Sequence, residues 1–214
     1  MRSFASIAAA GLALLSFQAF AADQLIQGRT LVVKDPTAGA ITTKRNVLAV
    51  ALEKASTATL QGDPTLSGSA GGAILQLIAN GANSTSQTFS LPQGVSPTTG
   101  RAYWSLMGGN GYKYRDSKGD QGPVKTLIIK HSPSGTFLIK AIVAGKNGPV
   151  DVVPPDPGTD GYLQLQLGTG DRYCVKYGSD GKVKNSGPRL FKVSKPVAEG
   201  CSASPSGAFL DLTD

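Results

Sequence analysis

The stretch Leu163-Gln164-Leu165-Gln166-Leu167 alternates apolar and polar side chains with a period of two, and Tyr112-Lys113-Tyr114-Arg115 does the same. Successive side chains of an extended strand point to opposite faces, so each stretch is a strand with one dry side and one wet side. Comparable short segments recur along the chain, separated by Gly, Pro, Asp and Asn. They are Thr30 to Lys34, Val47 to Leu52, Ala73 to Ala79, Gln87 to Leu91, Ala102 to Leu106, Gly111 to Arg115, Thr126 to Lys130 and Thr136 to Val143. After a Pro-rich connection come Tyr162 to Leu167, Arg172 to Tyr177, Gly181 to Lys184 and Arg189 to Val193. The apolar run Val47 to Leu52 also suits a helix, but its brevity and its neighbours assign it to a strand. Gly and Pro supply 40 of 214 residues while charged residues supply 16%, against a typical ~25%, which favours short strands and tight turns. The pattern predicts an all-β fold of about twelve short strands, an antiparallel β-sandwich or a jelly-roll-like domain. Gly168-Thr169-Gly170 and Ser179-Asp180-Gly181 are the expected hairpin turns.

The N-terminal end sets the expected compartment. Met1-Arg2, an apolar run from Phe4 to Phe17 and the small-x-small exit Ala19-Phe20-Ala21 have the form of a secretory signal peptide cut after Ala21. The run is shorter than the ~20 residues a helix needs to cross a bilayer, so no membrane span is expected after cleavage. Residues 22–214 are expected to form a single exported β-rich domain, periplasmic or extracellular. The Pro-rich stretch 145–161 is expected to be a long loop within it, because the segment beyond would form only a thin core alone. Outside the cytoplasm, Cys174 and Cys201 are expected to form a disulfide, closing a loop that stabilises the fold by ~3–4 kcal/mol in the chain-entropy model.

The formal charge is +7, and +6 without the leader. Along the sequence the cations are scattered singly, the densest spots being Lys44-Arg45 and Lys182 with Lys184, so they are assigned to a solvated surface rather than to a basic tract. No specific nucleic-acid partner is expected. Possible partners outside the cytoplasm are a polysaccharide or another envelope protein.

Candidate chemistry is sparse. A nucleophilic triad would have to use His131, the sole imidazole, which precedes the turn Ser132-Pro133-Ser134-Gly135 and has no Gly-x-Ser-x-Gly elbow to serve. Asp116, Asp120, Asp156, Asp160, Asp171 and Asp180 stand beside Gly, Ser or Lys in predicted turns, where Asp commonly bonds its own backbone. The segments 116–120 and 156–160 lack the alternating acidic spacing and terminal Glu of a calcium loop. No catalytic residue, metal or cofactor is assigned. Asn83-Ser84-Thr85 has the form of an N-glycosylation acceptor, which matters only in a eukaryotic secretory route, and is set aside. The best binding candidates are Tyr103, Trp104, Tyr112 and Tyr114, which either stack on sugar rings or fill the core with their polar tips satisfied. The reading is an exported non-catalytic binding or structural domain, with a carbohydrate-binding or adhesive module as the alternative and a secreted hydrolase after that.

Asp63-Pro64-Thr65, Gly72-Ala73-Ile74-Leu75, Phe89-Ser90-Leu91-Pro92, Trp104, Gly111 to Asp116, Gly122-Pro123-Val124 and Arg172-Tyr173-Cys174 follow one another in order. In this the chain resembles a recurrent β-rich domain of exported proteins in Gram-negative environmental bacteria, from about Leu25 to Cys201. The resemblance implies a secreted β-rich domain with a Cys pair and carries over no functional residue. The chain departs from it in an insertion at Val95 to Tyr103.

Overall fold

A computed structural model describes residues 22–202. The predicted leader, 1–21, lies outside the described residues. Twelve strands are present: β1 (Asp23–Lys34), β2 (Asn46–Glu53), β3 (Ala73–Gly81), β4 (Thr85–Leu91), β5 (Trp104–Leu106), β6 (Gly111–Arg115), β7 (Val124–His131), β8 (Phe137–Ala144), β9 (Gly158–Leu167), β10 (Arg172–Tyr177), β11 (Lys182–Asn185) and β12 (Leu190–Ser194). Each overlaps a strand expected from the sequence, and Val47 to Leu52 is indeed extended. Among the described residues no helix is long and apolar enough to cross a membrane.

The fold is all-β, but the strands are not sorted into a sandwich or jelly roll. They form one mixed, curled sheet, a half-barrel, in the order β4-β3-β9-β10-β1-β2-β8-β7-β6-β5, with β12 paired to β1 and β11 to β12. The long strand β1 causes this. Its first part, Asp23 to Gln27, runs parallel to β10, and its second part, Thr30 to Lys34, lies between β12 and β2. The register shift between Gly28 and Thr30 separates the two parts, and a bulge of this kind bends a strand and increases its twist. The expected hairpin at Ser179-Asp180-Gly181 does not close, because β11 pairs with β12 rather than β10. The Asp180 carboxylate instead accepts the N–H groups of Val197 and Ala198, which holds that turn against the chain leaving β12.

One hydrophobic core fills the concave side. A single inward row crosses the sheet through Val193, Leu31, Ala49, Ala141, Leu127, Tyr114 and Trp104. Opposite it, β9 comes so close that a Cβ on Gly161 would lie 2.4 Å from the Leu31 side chain, and one on Gly158 equally close to the Phe191 ring. Glycine is what lets the curl tighten there. The Pro-rich stretch carries Val150 and Val152 into the same core. It is fastened to β4 by Thr85, whose hydroxyl bonds both the N–H and the carbonyl of Val153, and by Gln87, whose amide accepts from Asp151 N–H and donates to the Pro149 carbonyl. Arg45 adds a bond to the Val150 carbonyl at 2.8 Å and pairs with buried Asp35 at 2.9 Å. Burial alone would raise the Asp35 pKa, but the Gly39 N–H and the Arg45 guanidinium outweigh it and hold the carboxyl below its ordinary range. The sulfurs of Cys174 and Cys201 are 1.93 Å apart, which ties the segment after β12 across the outer side of β10. Gln164, expected on a wet face, is 1% exposed because this segment covers it, and its amide donates to the Ser202 carbonyl.

Candidate functional site

The aromatic residues singled out from the sequence do come together, but inside the protein. Tyr103, Trp104 and Tyr114 are 2%, 4% and 1% exposed, and Tyr112 is half-buried against the core. The Trp104 ring tilts onto Tyr114 at 5.2 Å, and Tyr103 stacks on Tyr114 at 5.8 Å. Trp104 Nε1 donates to the Leu91 carbonyl at 3.1 Å, joining β5 to the end of β4, the two ends of the sheet path. Burial, with the Asp116 charge nearby, pushes the Tyr114 phenol well above its ordinary range. Burial leaves Tyr103, Trp104 and Tyr114 without a ring face open to a sugar. Inward alternation puts Tyr112 and Tyr114 on the core side of β6, as the period of two requires.

The polar candidates are occupied by loop architecture. Asp116 accepts the N–H groups of Gly119, Asp120 and Gln121 at 2.7 to 3.0 Å. Asp120 takes the hydroxyls of Ser96 and Thr98, which lower its pKa. Asp171 accepts Ala22 N–H, and Asp160 accepts the Asn80 amide. His131 stacks on Phe137 at 5.5 Å. Among the described residues the only cluster of three potential metal ligands is Asp23 with Cys174 and Cys201, whose sulfurs are joined to each other and not free as thiolates.

What the sequence conceals is on the convex side of the sheet. One outward row runs Lys184, Lys192, Val32, Leu48, Ile142, Thr126, Arg115 across seven registered strands. The next runs Lys182, Ser194, Thr30, Val50, Lys140, Ile128, Lys113, Ser105. Lys34 lies one rung beyond the first row and Lys130 one rung beyond the second. Eight cations thus share this face, and no carboxylate stands in these rungs. Among the described residues the ion pairs are Arg45 with Asp35 and Arg172 with Asp23, so none of the eight is paired. Lys184 and Lys192 stand directly opposite each other, a like-charge pair that costs stability. The Leu, Val and Ile side chains between the cations are half-buried, and lysine stems lying across such groups keep their charged heads in water.

At the β5–β6 end of this face is a cavity of about 570 Å³, lined by Arg101, Lys113 and Arg115 together with Thr99, Ser105 and Ser117. Its far wall is the segment 95–103, folded as a small hairpin: Val95 bridges Ala102, Ser96 N–H donates to the Arg101 carbonyl, and Tyr103 N–H to the Gly94 carbonyl. Sequence reading missed the face because its cations are never adjacent in the chain. Only the strand register brings them together; the alternations Lys113 with Arg115 and Lys182 with Lys184 were the local signs of it. No family model matches the chain, and comparison with curated proteins and with solved structures finds no match either, so the resemblance noted above gains no support from them.

Proposed function

We propose that this chain is an exported, non-catalytic binding domain that attaches to anionic polymers of the envelope or extracellular space through the convex cationic face. The observation that carries the proposal is the set of eight unpaired cations, without a carboxylate, on one registered sheet face. Such a surface raises the local concentration of anions and speeds their encounter. Export is supported by the leader-like N-terminus and by the joined cysteines.

Two features favour a polymer over a bilayer. The face is convex, so a flexible chain can follow it where a plane touches few rungs. Exposed large apolar residues such as Leu66 and Val197 lie off these rungs, and the Val, Leu and Ile side chains on the face itself are half-buried rather than projecting as an amphipathic membrane anchor would. Nucleic acid is disfavoured because single-strand binders stack bases on aromatic platforms, and here Tyr103, Trp104 and Tyr114 are buried while no aromatic side chain stands in the rungs of the cationic face. Retention on immobilised polygalacturonate and heparin, measured across a salt series, tests the proposal. Tight retention that falls steeply with salt is expected, and a Lys140→Gln/Lys182→Gln/Lys192→Gln variant should elute markedly earlier. Equal elution of variant and parent would remove the face from the account.

A further inference from the structure

We infer that the cavity between β6 and the 95–103 hairpin is a subsite for one acidic sugar residue, a uronate, of an anionic polysaccharide. The inference rests on the cationic-face reading and narrows it to a ligand class. Three cations converge on the cavity from two directions. Lys113 and Arg115 project from the same side of β6, two residues and so ~7 Å apart along the strand, and Arg101 comes across from the hairpin. The volume of about 570 Å³ is that of a small-molecule site.

The hairpin is fastened in place. Ser96 and Thr98 both donate to Asp120, and Thr99 N–H donates to the Ser96 hydroxyl at 3.1 Å. Asp120 is fixed in turn through its own N–H, which Asp116 accepts at 3.0 Å. Both carboxylates are therefore spent on shaping the wall, and neither forms an ion pair with the three cations. A carboxylate ligand would supply the anion that these three cations lack.

The rest of the lining selects what surrounds that carboxylate. Thr99, Ser105 and Ser117 also line the cavity, and hydroxyls of this kind both donate and accept hydrogen bonds. A small inorganic anion meets the cations but leaves most of such a wall uncontacted, whereas a uronate brings several hydroxyl groups on the carbons beside its carboxylate. A neutral sugar leaves the three cations without an anion.

The test compares trigalacturonate, the uncharged sugar maltotriose and inorganic phosphate by isothermal titration against the whole mature chain. An Arg101→Ala/Lys113→Gln variant alters the cavity, and a Lys182→Gln/Lys184→Gln/Lys192→Gln variant alters the far end of the face. All substituted positions are exposed or half-buried, and unchanged far-UV circular dichroism verifies the folds. The inference expects trigalacturonate to bind the parent, to weaken at least tenfold in the cavity variant and to stay within twofold in the far-end variant, with maltotriose failing to bind. Equal weakening in both variants overturns the subsite, as does phosphate competing as well as galacturonate. If long polygalacturonate binds the parent but trigalacturonate does not, the subsite falls while the cationic face stands. If neither binds, both fall.

Discussion

Replacing Trp104 by Phe should cost the protein ~2–4 kcal/mol of stability. The indole N–H that reaches the Leu91 carbonyl at 3.1 Å disappears, and Phe cannot replace it. Leu91 is 1% exposed, so its carbonyl is left without that bond where water hardly reaches, at ~1–3 kcal/mol. The smaller ring leaves unfilled volume beside Tyr114, adding ~1 kcal/mol. Because this bond joins the two ends of the sheet path, the loss should appear in global unfolding rather than in local fraying. With a urea m value of ~2–3 kcal/mol/M, the midpoint should fall by ~1 M at unchanged m. Trp104 is the only tryptophan, so unfolding is followed by far-UV circular dichroism in both proteins, and emission of the parent gives an independent check. That emission should be blue-shifted and insensitive to aqueous quenchers and to glycans. A variant within ~0.5 kcal/mol of the parent, or a parent whose tryptophan is readily quenched, would refute the assignment of Trp104 to the core seam.

Three further outcomes follow from other parts of the molecule. Burial pushes the Tyr173 phenol up to about 12 and raises those of Tyr114 and Tyr177 too, so the unfolded chain loses these protons first; stability should hold below pH ~10 and decline as pH rises toward 12, by ~1.4 kcal/mol per pH unit for each such tyrosine. Urea midpoints between pH 9 and 11 should show a slope shallower by one such increment in Tyr173→Phe, and an identical slope would contradict the cause given. Removing the disulfide as Cys174→Ala/Cys201→Ala should cost ~3–4 kcal/mol and expose the segment around Ser202 to proteolysis; an unaltered melting temperature and digestion pattern would count against its role as a staple. Lys192→Glu should convert the like-charge pair with Lys184 into an opposite one, raising stability by ~0.2–1 kcal/mol while weakening retention on anionic polymer, and a variant unchanged in both would deny that this pair serves binding.

Much of the fold was legible because strand periodicity and turn residues act locally. Leu163, Leu165 and Leu167 are all fully buried, and the turn 168–170 joins the antiparallel pair β9 and β10. What escaped was every feature that depends on distant pairing. The parallel contact of β1 with β10 joins residues near 25 to residues near 174, and no local pattern distinguishes it from a hairpin pairing. Gln164 alternates as a wet residue should, yet a covalent tether brings the end of the described chain over it. The aromatic group was visible as a cluster but not its side of the sheet, because Trp and Tyr serve both core and surface.

The two halves of the curled sheet provide an internal comparison. Outward positions of β4 and β3 and the end of β9 carry Ser86, Thr88, Ser90, Gln76 and Gln166, a set of hydroxyls and amides without a lysine. A fold of this shape therefore does not need lysine on its outer rungs to remain folded. If charge served solubility alone, both signs interspersed over both halves would do so at less cost than Lys184 set against Lys192. Lysine on an edge strand does discourage edge pairing, which accounts for Lys182 and Lys184 on β11. It does not account for Lys140 on β8 or Lys130 on β7, which lie inside the sheet with neighbours on both sides. Eight unpaired cations with no carboxylate among them, at interior as well as edge strands of one face, are the arrangement that an anionic partner would offset.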